Sequence, residues 1–143
     1  MTSARQASMR IATVVLCLLV ATACDEKSPT GPTVSLDARF TLAPGETASV
    51  QGRGVKLRFE GVAGDSRCPA DALCITGGDA IVRVAASGDA SSLSLELHTG
   101  DSSRASVTYG NVKVSLVELQ PYPFSSRTIA PGDYRATLVV SVS

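Results

Sequence analysis

The chain has 143 residues, with basic and acidic side chains in equal number (13 Lys or Arg, 13 Asp or Glu), a single histidine, four cysteines and no tryptophan. No block of like charge supplies the concentrated basic footprint that nucleic-acid binding needs. One histidine is also too few for a histidine-rich metallo-sandwich such as copper-zinc superoxide dismutase.

The chain opens as an export signal. Arg5 and Arg10 make a positive n-region, Ile11 to Val20 an apolar run, and Ala21-Thr22-Ala23 a set of small residues before Cys24. The run is too short for a membrane span. Small residues directly before a cysteine resemble a bacterial lipobox, although Ala21 stands where leucine is commoner. The resemblance implies that residues 1–23 are a lipoprotein signal peptide and that Cys24 becomes the lipidated N-terminus. The protein would then be held on the membrane of a bacterial cell envelope, on the periplasmic face or at the cell surface. The alternatives are an ordinary signal peptidase site with Cys24 incidental, or an uncleaved anchor. Cys17 lies inside the apolar run and leaves with the signal.

Residues 24–34 turn to Asp, Glu, Lys, Ser, Pro, Thr and Gly with little that is apolar, the composition of a disordered tether. Residues 35–143 remain, enough for one domain with a single core. They alternate with period two and carry turn signals at short spacing, which predicts an all-β fold: one antiparallel β-sandwich, immunoglobulin-like or similar, of about eight strands.

Pro44-Gly45 separates the first two strands, Arg39–Ala43 and Glu46–Gln51. Val55–Val62 is the clearest strand, with Val55, Leu57 and Phe59 on one face and Lys56, Arg58 and Glu60 on the other. After the loop that follows, Ala80, Val82 and Val84 set the core face of the next strand. In Ser92–His98, Leu93, Leu95 and Leu97 are predicted inward and Ser94, Glu96 and His98 outward. Ala105, Val107 and Tyr109 mark another strand, Gly110-Asn111 a hairpin turn, and Val112–Gln120 its partner, with Val112, Val114 and Leu116 toward the core. Pro121-Tyr122-Pro123-Phe124-Ser125-Ser126 is a second long loop, because two prolines cannot donate to a ladder. In the last strand Tyr134, Ala136, Leu138, Val140 and Val142 share a face. Its Pro131-Gly132-Asp133-Tyr134 entry resembles the tyrosine corner of immunoglobulin-like and fibronectin-type sandwiches; a plain Pro-Gly turn followed by a core tyrosine fits equally well.

The stretch from Gly64 to Ala80 joins two well-patterned strands and carries the remaining cysteines, Cys68 and Cys74. In an exported domain these read as a disulfide, closing a small ring worth about 2 to 2.5 kcal/mol. Pro69 suits the first position of a short turn inside the ring. A zinc site, which wants four nitrogen or sulfur ligands, and free thiols are the competing readings. The run Asp65-Ser66-Arg67-Cys68-Pro69, followed by Cys74 and Gly78, resembles a family of uncharacterised bacterial secreted lipoproteins and periplasmic domains. The resemblance extends loosely from Phe40 to the C-terminus. The family often carries an aromatic residue between the second cysteine and the glycine, where this chain has Ile75 and Thr76.

Residues that could carry chemistry are few. His98 beside Glu96 could serve as a general base, but an isolated histidine on a polar strand face is ordinarily inert. Ser66, Ser125 and Ser126 lie in no nucleophile elbow and beside no histidine. Asp65, Asp71 and Asp79 match no calcium loop and read as turn formers. Exposed aromatics for carbohydrate reduce to Tyr122 and Phe124. No catalytic residue, metal or cofactor is therefore assigned. The candidate binding loops are those of Asp65, Ser66 and Arg67 and of Tyr122 and Phe124. The expected role is a non-enzymatic binding or structural module with an envelope partner. The alternatives are an inhibitor-like domain that inserts the stapled loop into a cleft and an enzyme with an unrecognised site.

Overall fold

The computed structural model describes residues 31–89 and 91–143. Cys17, Cys24 and the signal segment lie outside the described residues. Among the described residues nine strands form two sheets, β1 (Thr33–Val34), β2 (Arg39–Leu42), β3 (Thr47–Val50), β4 (Val55–Asp65), β5 (Ala80–Ser87), β6 (Ser92–His98), β7 (Ser106–Tyr109), β8 (Val112–Gln120) and β9 (Arg135–Val142). The first sheet has the order β1-β3-β4-β5-β6 and the second β2-β9-β8-β7. The fold is an all-β sandwich. Consecutive strands pair mostly as meanders, a different order from that of immunoglobulin domains, and β1 pairs parallel with β3 at the edge. Thr33 and Val34 are thus part of the sheet, with Val34 buried, although composition places them in the tether.

Alternation builds the core. Along β4, Val55, Leu57 and Phe59 are buried and Lys56, Arg58 and Glu60 exposed, as the period-two pattern requires. Their inner face meets Val82 and Val84 of β5, Leu95 and Leu97 of β6, Val112 and Val114 of β8, and Ala136, Leu138 and Val140 of β9. Beyond Phe59 the β4–β5 register shifts twice, between Phe59 and Gly61 and between Val62 and Gly64. Such bulges bend a strand and raise its local twist.

Three core assignments change. Leu93 keeps its predicted side, opposite Ala86, but β6 is an edge strand and the side chain is 53% exposed. Val142, at the end of β9, is likewise exposed. His98, predicted outward, is only 6% exposed, because the segment entering β5 brings Asp79 over it: the His98 Nδ1 to Asp79 Oδ2 distance is 2.6 Å.

Candidate functional site: the stapled-loop end

The C-terminal ends of β4, β6 and β8 and the N-terminal ends of β5 and β9 meet at one end of the sandwich, where the chain makes its two longest loops. In the first, the β4–β5 ladder continues past Asp65 and Ala80. The Ser66 N–H donates to the Asp79 carbonyl (2.7 Å) and the Cys68 N–H to the Gly77 carbonyl (2.8 Å). Gly78 makes this closure feasible: its φ is +69°, and a Cβ there would overlap the Ser66 carbonyl, so no other residue fits without rearrangement. Cys68 and Cys74 are disulfide-bonded. Inside the ring the Ala72 N–H donates to the Pro69 carbonyl (3.1 Å), the single turn that Pro69 foreshadows.

The second loop lies against the first. The Ala70 N–H donates to the Pro123 carbonyl (2.9 Å). Asp71 accepts from the Ser125 N–H (2.8 Å) and hydroxyl (2.6 Å), and these two bonds hold its carboxyl below the usual carboxylate range.

Beneath both loops sits a buried polar network centred on Arg67, which is 8% exposed. Its Nε and Nη2 donate to the two Asp65 carboxylate oxygens at 2.9 and 2.6 Å, a bidentate pair. Nη1 donates to the Leu119 carbonyl (2.8 Å) and Nη2 also to the Pro121 carbonyl (3.0 Å). The guanidinium carbon lies 5.3 Å from the centre of the Tyr122 ring, within cation–π range. Arg67 therefore ties β4 of one sheet to the end of β8 in the other. The Tyr134 hydroxyl completes the network by donating to Asp65 Oδ2 (3.1 Å). Burial pushes the Asp65 carboxyl up, but the Arg67 hydrogen bonds and charge, with the Tyr134 hydroxyl, outweigh it and leave the pKa lowered. For Tyr134, burial and the adjacent carboxylate both raise the pKa. Tyr134 thus makes no corner with its own strand's approach; its partner is across the sandwich.

Asp65 and Arg67, candidate binding-loop residues in the sequence, lie largely buried at the base of that loop. Ser66 is exposed, but its hydroxyl donates to the Asp79 carbonyl and accepts from the Asp79 N–H (3.0 and 3.1 Å). Tyr122 and Phe124 are about half exposed. The pattern gave no warning of Leu73 and Ile75, whose exposures of 106% and 105% are those of side chains projecting freely into solvent. Leu73 lies within the ring closed by Cys68 and Cys74, and Ile75 directly follows it.

Beside the loops, a cavity of about 400 Å³ is lined by Arg67, Gly78, His98, Leu116, Leu119 and Tyr122 among others. Asp79 lies behind His98. Burial pushes its carboxyl up, but the Gly100 N–H (2.8 Å), His98 and the Thr99 hydroxyl hold it lowered. Asp65, Asp71 and Asp79 face Arg67, Ser125 and His98 respectively rather than one another, and no group of three metal-ligating side chains occurs among the described residues. Among the described residues no helix is long and apolar enough to cross a membrane. No family model, curated protein or solved structure matches this chain.

Proposed function

We propose that the chain is a cell-envelope lipoprotein, anchored through Cys24, whose β-sandwich is a non-enzymatic binding module that makes its contacts with the stapled-loop end. The observation that carries this reading is the full exposure of Leu73 and Ile75 on a loop fixed from three sides. The disulfide closes it, the neck bonds of Ser66 and Cys68 continue the sheet into it, and Ala70 and Asp71 hold it to the second loop. An apolar tip on a preformed loop binds without the ordering cost that a free loop incurs. The polar groups of this end are committed to one another: Ser66 to Asp79, Ser125 to Asp71, Arg67 to Asp65. That arrangement supports a scaffold role for them over a catalytic one.

Mass spectrometry of the mature N-terminus tests the anchor: a diacylglyceryl or triacylated Cys24 is expected, and an intact, unmodified signal segment contradicts it. The binding role is tested in cells by a photo-crosslinking residue placed at Leu73 or Ile75 and, as control, at Leu93. Adducts should form at the loop positions in preference. Equal labelling at all three would remove the loop from the function.

A further inference from the structure

We infer that the tip of the stapled loop, Leu73 and Ile75, enters the interface of the bilayer that holds the chain's own N-terminal lipid. This rests on the lipoprotein reading above and names what the loop meets.

The path of the chain is the first argument. β1 runs parallel to β3, with Thr33 opposite Ser49 and Val34 opposite Val50, while β3 runs antiparallel to β4, with Thr47 opposite Arg58. Stepping back from Thr33, the chain passes toward Thr47, whose carbonyl lies against Gly31. It therefore enters the domain from the side of the stapled loop. Cys24 and Gly31 are seven positions apart in sequence, a reach of at most about 25 Å. From Arg58 to Asp65, β4 already covers about 20 Å in the same direction, its two bulges included, and the ring of Cys68–Cys74 lies beyond Asp65. A lipid on Cys24 thus has little reach beyond the level of the loop. A membrane at that depth meets the loop tip.

The chemistry of the tip is the second argument. Within residues 68–78 the only ionisable side chain outside the bridge is Asp71, and Ser125 satisfies both its oxygens. Two projecting aliphatic side chains fall far short of the roughly 800 Å² per partner that a stable protein interface needs. They suit shallow insertion into lipid, where no complementary pocket is required. Tyr122, half exposed on the adjoining loop, is a residue type that settles at headgroup level, and the half-exposed Phe124 beside it adds an apolar side chain to the same face.

The absence of tryptophan makes a single introduced one a clean probe. Leu73→Trp, Ile75→Trp and, as control, Leu93→Trp are purified as the processed full chain and reconstituted into phosphatidylethanolamine–phosphatidylglycerol vesicles with or without bromine on the acyl chains. For the two loop variants, emission should shift to the blue relative to the soluble Cys24→Ala form and fall to about half in brominated vesicles, with the control little changed. Flotation of the protein with vesicles while both loop probes stay unquenched overturns the inference and leaves the anchor standing. Failure of the processed chain to float overturns the anchor reading and this inference with it. Quenching of the control as strongly as the loop would mean that the domain lies on its side, and would overturn the inference too.

Discussion

At the end of the sandwich far from the staple, the links are short: Gln51 to Gly54 between β3 and β4, and Gly110-Asn111 between β7 and β8. Glycines at positive φ turn the chain there (Gly52, Gly54, Gly110), and the Tyr109 hydroxyl donates to the Ser91 carbonyl (2.6 Å). At the stapled end the two longest links run over residues 66–79 and 121–134. They are held by a disulfide, a buried ion pair and hydrogen bonds from loop to loop. Tight turns need only local backbone chemistry. Long loops stay in place only if groups distant in sequence are brought together, and Arg67 does this by reaching Leu119 and Pro121 from the opposite sheet. Order at the stapled end is therefore more easily removed than at the far end, without loss of the strands between.

Phe59, fully buried in the middle of the core, belongs to neither end. Phe59→Ala should cost about 3 to 5 kcal/mol, a large share of an ordinary domain's stability, and lower protection at both ends together in a denaturant melt followed by hydrogen exchange. Arg58→Ala, on the exposed side of the same strand, should cost little. The reverse order would mean that β4 presents its other face to the core.

Arg67→Ala should cost about 3 kcal/mol, because it strands a buried carboxylate and two carbonyls. Its effect should be uneven, with exchange of the Cys68 and Ala70 amides accelerating more than that of Ser143, which bonds Asn111 at the far end. Acid should have the same directional effect. Asp65 has a lowered pKa in the folded protein, so the unfolded chain binds the proton first. The stability that Asp65 contributes is complete above about 3.9, the ordinary aspartate value, and is lost as pH falls through the lower folded value. Hydrogen exchange at pH 3 should therefore show the stapled end opening ahead of the far end. Uniform loss of protection would mean that the network is not separable from the core.

The Cys68–Cys74 bridge acts on a smaller scale, about 2 kcal/mol. The reduced protein should still fold, melt several degrees lower and be cut first within residues 68–78. Complete unfolding on reduction would place the ring within the fold's core, and unchanged melting and proteolysis would make the bridge idle.

Alternation made the sandwich legible because burial on one face of a strand writes itself into every second residue, as in Val55-Leu57-Phe59. The staple was legible from the cysteine spacing and from the export expected of the N-terminal pattern. Arg67 was not, since a charged residue beside a cysteine reads as solvated and its carbonyl partners lie 52 and 54 residues away. One signal was present: Asp65 and Arg67, two apart at a strand end, belong on the same face, the spacing of an ion pair. His98 was misread for the same reason. Its partner Asp79 is 19 residues distant and is held over the end of β6 by Ser66 in the neck of the stapled loop and by Thr99 and Gly100. Period-two reasoning sees faces of strands and is blind to what a loop later lays across them.

The smallest effects separate the two ends most sharply. At the far end, Tyr109→Phe removes the hydroxyl that bonds the Ser91 carbonyl and should cost about 1 kcal/mol, the net worth of a typical hydrogen bond. The tight turns on either side persist without it, so the loss should appear in the global melt with no change in where protease cuts. At the stapled end, Ser125→Ala removes a hydroxyl that bonds Asp71 but leaves the Ser125 N–H in place. The pair is exposed, and the global melt should hardly move. What should change is local: the loss of one of the bonds holding the ring to the second loop should raise protease sensitivity around Ala70 to Leu73, and with it the exchange of the Ala70 amide that bonds Pro123. If Ser125→Ala shifts the melt as much as Tyr109→Phe while cutting stays unchanged, the two loops are coupled to the strands as firmly as the tight turns are, and the difference between the ends lies in length alone.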